Sequence, residues 1–396
     1  MERLLIHTPE GVRDIYGAEL AWKRRTGKRL QQVFDCYGYQ EIQTPAFEFF
    51  DVFSKEVGTT PSKDLYKFFD KEGNTLALRP DFTPSIARCA AKYFMEDPMP
   101  IRLCYEGNAF TNTTQLQGKL NETTQMGVEL IGEDRVEADA EMICLVIEAM
   151  KACGFDRFTV SVGEIDFFKG ICEEAGLTED VILNLREYIS VKNYYGAEEV
   201  LREAGVAKQY LDLLQHAGDI CTIDELKAAK KLVTNERSQK AVERLVELYS
   251  LVELYGLSEY VSFDLGMVSK FHYYTGVIFK AFTYGVGDAI VKGGRYDNLL
   301  SRFGKDAPAI GCVFLLDDIQ SALSAQGIAQ PEEEGITWLV YDEAGRSEAL
   351  SALRKMREEG KRVSGLIRDP KIGKTEYTDY AKKNGIAEIR FFGNIE

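Results

Sequence analysis

A block of helical texture interrupts a series of strand-like segments, and this interruption limits the architecture more than any other feature of the chain. Strand signals run through 37–50 (YGYQEIQTPAFEFF), 74–80, 100–110 and 124–132, where β-branched and aromatic residues lie between turn residues. Pro45 stops the first of them. After one more strand, FTVSVGEIDF, the pattern changes. From about 165 to 256 the runs TEDVILNLREYIS, GAEEVLREAG, KQYLDLLQHAG and SQKAVERLVELYSLVELYG carry helical period. Strand character returns at 260–268, 274–284 and 308–316. Residues 17–35 read as an amphipathic helix with Leu20, Trp22, Leu30, Val33 and Phe34 on its apolar side, and 137–152 as a second long helix. Hairpin strands with a few long helices fit an α+β fold, an antiparallel sheet with flanking helices, better than a doubly wound one. The expected division is a core over 1–325, with a helical insertion at about 165–256, and a small C-terminal α/β domain over 335–396. The linker SAQGIAQPEEEG separates them, and the tail's β-α-β-α-β alternation implies a parallel sheet.

Composition removes several classes of function. A net charge of -15 argues against wrapping nucleic acid, which needs concentrated Lys and Arg. The eight Cys contain no CxxC pair and only three His are present, so no metal is expected; the Cys read as small buried hydrophobes in a reducing compartment. The start of the chain lacks a signal-peptide pattern and no stretch of about 20 apolar residues occurs, so a cytoplasmic location and no membrane contact are expected.

Some apparent motifs fail. The Gly373-Lys374-Thr375 run resembles the end of a phosphate-binding loop, but Arg368 stands where that loop needs its first Gly. Gly285-Val286-Gly287 has the character of a hairpin turn. Four other segments carry more. Asp81 and Thr83 follow a strand end in Leu78-Arg79-Pro80-Asp81-Phe82-Thr83-Pro84, where a carboxylate and a hydroxyl can meet an ammonium group. Alternation puts Gln125, Gly127 and Glu129 on one strand face. The remaining two are His272-Tyr273-Tyr274-Thr275-Gly276 and Gly293-Gly294-Arg295-Tyr296-Asp297, whose paired Gly allows close backbone approach. Taken singly, each is equally a turn or a solvated sheet face.

Together and in this order they resemble the core of the histidyl-tRNA synthetases, which are class II aminoacyl-tRNA synthetases. Pro-Glu-Gly-Val-Arg-Asp at 9–14 and Thr44-Pro45, as the first class II motif, extend the resemblance over roughly residues 8 to 320. It implies the class II antiparallel sheet and a dimer formed through the first motif. Three positions depart from the synthetase pattern, which has an Arg at each. Thr111 follows Phe110 in the second motif, Asp318 closes the third, and Ser269 precedes Lys270-Phe271-His272 in the histidine loop. A charge pair at about 4 Å is worth roughly 4 kcal/mol at an effective dielectric near 20. Each lost Arg therefore costs on the order of a thousandfold in rate, since about 1.4 kcal/mol is tenfold. Such electrostatic preorganisation is usually the largest catalytic term, so adenylation is not expected.

The matches to the amino-acid pocket remain. By resemblance, Asp81 and Thr83 hold the ammonium and substrate backbone, Gln125 and Glu129 contact the amino group and imidazole, and Tyr273 and Tyr274 border the imidazole. Tyr273 and Lys270 are candidate substitutes for the Arg that would meet the ligand carboxylate. A pocket that keeps amino-acid contacts and drops ATP contacts resembles the regulatory subunits of ATP phosphoribosyltransferase, and it includes their Arg-Pro-Asp-Phe-Thr-Pro-Ser run at 79–85. That resemblance implies a non-catalytic chain without cofactor. It would assemble with the short catalytic chain, typically four of each, activate it in the first step of histidine biosynthesis, and relay feedback inhibition by L-histidine. No tRNA is expected as a partner. The alternatives are an active histidyl-tRNA synthetase, or a synthetase-like paralogue with another amino-acid-dependent role.

Overall fold

Ten-residue strands of alternating character build the centre of the molecule. In the computed structural model, which describes residues 6–53, 60–97, 100–112, 120–206, 208–268, 273–328 and 335–394, the chain forms two compact units, Met1–Ile328 and Ala329–Glu396. The first is organised on an eight-stranded sheet. In spatial order its strands are Gln40–Glu41, Ile101–Phe110, Glu122–Ile131, Ala309–Leu315, Val291–Arg295, Val277–Thr283, Phe158–Glu164 and Val261–Phe263. The six central strands pair antiparallel, whereas the two edge pairs are parallel. The sheet is thus mixed at its margins. The synthetase-like α+β plan holds, and its purely antiparallel character is confined to the centre.

The two faces of this sheet differ, because side chains alternate along each strand. One face carries Cys104, Met126, Val128, Ile310, Phe314, Val277, Phe279 and Val160, all buried in the main core. Helices Gly17–Cys36 and Val136–Cys153 contribute to that same core, through Leu30, Phe34, Ile143 and Leu145 among others. Phe34 meets Phe314 with ring centroids 5.5 Å apart. Each such side chain, fully buried, contributes about 1.5–3 kcal/mol, which is what fixes the sheet register. The other face is poor in bulk and bears the cavity described below.

One buried ion pair ties helix to sheet. Arg295 donates from Nη2 and Nε to Asp139 Oδ1 at 2.6 and 3.0 Å, and Arg244 reaches Asp139 Oδ2 at 2.7 Å. Between Phe158–Glu164 and Val261–Phe263 the described residues form six α-helices, from Ile165–Glu174 to Glu236–Leu254. The strand expected over 260–268 shrinks to three residues, because Asp264 to Met267 close a turn. A three-stranded sheet of Phe47–Phe49, Thr75–Leu78 and Lys67–Phe69 stands apart from the large one.

The second unit is a three-stranded parallel sheet, ordered Val363–Ile367, Ile336–Tyr341, Ile386–Phe392, with helices Arg346–Glu358 and Lys374–Lys383 in the connections. All eight Cys are free thiols. Five are buried, Cys89 is half-buried, and Cys36 and Cys221 are exposed, so the expectation of buried Cys fails at those last positions. Among the described residues no cluster of His, Cys, Asp and Glu could hold a metal ion, and no helix is long and apolar enough to cross a membrane.

Candidate functional site

The cavity on the bulk-poor face has a volume of about 230 Å³, and Asp81, Thr83, Gln125, Glu129, Tyr273 and Tyr274 all line it. Each arrives on a separate local device. Arg79 is buried and donates to the carbonyls of Thr44 and Asn108 at 2.9 and 2.8 Å, and its guanidinium lies 3.9 Å over the Phe82 ring. That clamp anchors the bend between strand Thr75–Leu78 and helix Thr83–Tyr93, where Asp81 and Thr83 sit. Pro84 at the helix start suits the position, since its fixed φ and missing N–H cost nothing there. Gln125 and Glu129 share the cavity face of strand Glu122–Ile131. The Tyr273–Thr275 segment is held by Thr275, whose Oγ1 donates to Asp297 Oδ2 at 2.9 Å and accepts from the Asp297 N–H at 3.0 Å.

Glu129 is the best-organised group in the site. It is 1% exposed, and its carboxylate accepts from Thr83 Oγ1 at 2.9 Å and from the Tyr296 hydroxyl at 2.5 Å. Burial pushes its carboxyl up to about 8, against the pull of those two hydrogen bonds, and nearby Asp81 adds to the rise. Burial likewise pushes Asp81 up to about 7, opposed by a hydrogen bond from the Thr83 backbone. Two buried acids inside one cavity suit a cationic group chemically, because a ligand ammonium or ring N–H would supply the charge or donor that solvent no longer gives. The Gln125 Oε1 atom is buried and has no hydrogen-bond partner, leaving an acceptor aimed at whatever enters. Tyr273 and Tyr274 pack with ring centroids 4.6 Å apart, and Tyr273 meets Tyr296 edge-on at 5.9 Å, giving an aromatic wall.

The floor is backbone. Gly311 lies opposite Glu129 in one ladder and opposite Gly294 in the next. Gly127 and Gly294 lie under rings that line the cavity: a Cβ on Gly127 would come 2.4 Å from Tyr105 Oη, and one on Gly294 would come 2.8 Å from the Tyr274 ring. The paired Gly of the Gly293-Gly294-Arg295-Tyr296-Asp297 run signals this close packing in the sequence.

Two features of the cavity escape sequence reasoning. Tyr296 is in that run, yet its role as the donor to Glu129 depends on a contact 167 residues away. Lys292 lines the cavity, and nothing local distinguishes it from a solvated strand residue. Thr111, which the sequence marks as standing in place of an Arg, lines the cavity. Asp318 lies in the first turn of helix Leu316–Ala325, outside the ring of lining residues. Its neighbour Asp317 pairs with Lys23 at 2.6 Å and accepts from the Thr124 N–H at 2.7 Å. Ser269, Lys270 and His272 lie outside the described residues.

The sheet, the insertion and the pocket define a protein of the class II histidyl-tRNA synthetase plan. The histidyl-tRNA synthetase family profile matches residues 11–319. A histidyl-tRNA synthetase from Nostoc superposes with a TM-score of 0.78 at 20% identity, covering 97% of this chain and 90% of that one, a likeness of fold. Closer in sequence is a Bacillus halodurans structure described as an ATP phosphoribosyltransferase regulatory subunit/histidyl-tRNA synthetase, with a TM-score of 0.87, 30% identity and 99% of both chains covered. The ATP phosphoribosyltransferase regulatory subunit of Acetivibrio thermocellus is 41% identical over 90% of this chain and 85% of its own, and that of Ruminiclostridium cellulolyticum 38% over 98% and 94%. The chain belongs to the family of ATP phosphoribosyltransferase regulatory subunits.

Proposed function

We propose that this chain carries no catalytic centre of its own and regulates a separate catalytic ATP phosphoribosyltransferase chain, binding free L-histidine in the cavity of Asp81, Thr83, Gln125, Glu129, Tyr273 and Tyr274. The observation that carries the reading is the composition of the cavity wall. It joins two titratable acids, an unsatisfied amide oxygen and an aromatic wall, which suit an amino group and an imidazole, while Thr111 occupies the position where the synthetase pattern places an Arg. Glu129 accepts from a ring N–H in either imidazole tautomer. Such a pocket retains an amino acid without the charge needed to drive its adenylation.

Regulation then follows from linkage. Histidine shifts the assembly between active and inhibited states only by binding them with different affinity, and a coupling of about 1–3 kcal/mol is ordinary for such effects. The partner is the short form of the catalytic chain, in a hetero-octamer of four and four built on a dimer of this chain. The exposed rings of Phe47, Phe49 and Phe68, on one face of the small sheet, supply an apolar surface for that dimer.

The test mixes the chain with the short catalytic chain and follows phosphoribosyl-ATP formation from ATP and phosphoribosyl pyrophosphate. A rise in rate on adding this chain, reversed by histidine, is the expected result. No change in rate, or histidine-dependent exchange of pyrophosphate into ATP by this chain alone, overturns the reading.

A further inference from the structure

We infer that Lys292 is the group that holds the carboxylate of the amino acid in this cavity, and so makes the site select an amino acid over the corresponding amine. The inference rests on the proposed histidine site and names the part of that site which reads the ligand's negative end. An amino acid brings a carboxylate as well as an ammonium, and a buried carboxylate needs a cation or several donors. Among the described lining residues Lys292 is the one cation.

Its placement suits the task. Lys292 stands opposite Val313, which stands opposite Gly127, so its side chain leaves the sheet on the same face as Glu129. The two backbones are separated by two strand spacings of about 4.8 Å and two residues of about 3.4 Å, roughly 12 Å in all. An extended lysine, one amino acid with a ring side chain, and a glutamate together fill that span. The ligand then lies between the two side chains, beside Val313, with its ring towards Glu129 and its carboxylate towards Lys292.

A second observation is independent of the cavity. Lys292 stands directly opposite Lys280 in the neighbouring ladder, on the same face. Like charges directly opposite in a sheet are unfavourable. Lys280 makes no ion pair among the described residues, and burial together with Lys292 lowers the affinity of its amine for a proton. The counter-ion of Lys292 is Asp288 at 2.9 Å, four residues earlier and 62% exposed, where solvent screens the pair and ties it weakly. A second anion beside Lys292 relieves the repulsion.

The test is calorimetric titration of the full chain with L-histidine and with histamine, which has the same ring and amine but no carboxylate. The wild-type chain should prefer histidine. Lys292→Met should lose about 10- to 100-fold in histidine affinity, the range of one charge-assisted hydrogen bond, with histamine unaffected. Lys292→Arg should keep most of the preference. Asp288→Asn should tighten histidine binding several-fold by freeing the ammonium. Because Lys292→Met removes a like-charge pair, its melting temperature should equal or exceed that of the wild type. Histidine affinity unchanged in Lys292→Met, or lost equally for both ligands, overturns the assignment and leaves the histidine site standing. A wild-type chain that binds neither ligand overturns the site and the assignment together.

Discussion

Gly311 and Glu129 face each other across one antiparallel ladder, and a Cβ on Gly311 would fall 1.7 Å from Glu129 Oε2. The carboxylate occupies the volume that any larger residue would claim. Gly311 cannot be enlarged without moving that carboxylate.

Gly311→Ala should therefore displace the Glu129 carboxylate from Tyr296 and Thr83. The new methyl also meets the Val128 carbonyl at 2.7 Å, which cannot retreat within the ladder. Overpacking of this kind costs about 1–3 kcal/mol. Thermal unfolding should show a lower melting temperature, and calorimetry should show loss of amino-acid binding. An unchanged melting curve together with full binding would refute this geometry.

The two buried acids predict a pH dependence with a definite sign. Between about pH 4.5 and 8 the folded chain keeps on Glu129 a proton that the unfolded chain has released, and Asp81 does the same up to about 7. Folding takes up protons in that window, so this contribution to stability is complete below it and is lost as pH rises through it. Glu129→Gln removes the larger share. The variant should gain on the wild type as pH goes from 6 to 8.5, by on the order of 3 kcal/mol, as read from urea unfolding at each pH. A constant difference across that range would show that Glu129 does not titrate there.

Ligand affinity should move the other way with pH. An ammonium group needs an ionised partner, so binding releases protons from Asp81 or Glu129 while they are still protonated. Histidine affinity should rise from pH 6 to 8. The apparent enthalpy should differ between buffers of different ionisation heat in proportion to the protons released, and equal enthalpies in all buffers would show that none are released.

Gln125→Ala separates recognition from stability. Its buried Oε1 has no hydrogen-bond partner, so removing it costs the empty protein little and should slightly stabilise it. Histidine affinity should fall by about tenfold, the worth of one hydrogen bond. A stability loss above about 2 kcal/mol would mean the amide serves the fold instead.

Asp139 and Arg295 predict a large structural effect away from the pocket floor. The Asp139 side chain is fully buried, and burial raises its carboxyl while Arg295 and Arg244 pull it down. Arg295→Met leaves that charge with one partner. Breaking a buried pair in this way costs about 3–5 kcal/mol, which denaturant unfolding would register. A loss below about 1 kcal/mol would show that Arg244 alone satisfies it.

Much of this was legible in local pattern. Alternation in Gln125-Met126-Gly127-Val128-Glu129 reflects a two-residue period that the strand keeps, so its polar face could be read directly. The helix over 137–152 appears as Val136–Cys153, because its apolar residues are dense enough to bury all but a stripe at Glu137, Glu148 and Lys151. Partners distant in sequence were not legible. Tyr296 reaches Glu129 across 167 residues and Arg295 reaches Asp139 across 156, and neither spacing has a local signature. The strand expected to stop at Pro45 shrinks to Gln40–Glu41, and a second short strand, Phe47–Phe49, follows in a different sheet. Pro45 marks the break, but which sheet each half joins is settled by tertiary packing.

The bare floor under the cavity has a consequence for how such a site can change over generations. A wall side chain can be exchanged for another shape or charge. Bare backbone can only be built over, and a replacement at Gly311 drives its new atoms into the Glu129 carboxylate, as replacements at Gly127 and Gly294 drive theirs into Tyr105 and Tyr274. Variation at Thr83, Gln125, Lys292 or the paired tyrosines can therefore redirect the pocket towards a different small molecule. Variation at the three glycines moves in one direction only, towards displaced pocket side chains and a less stable fold.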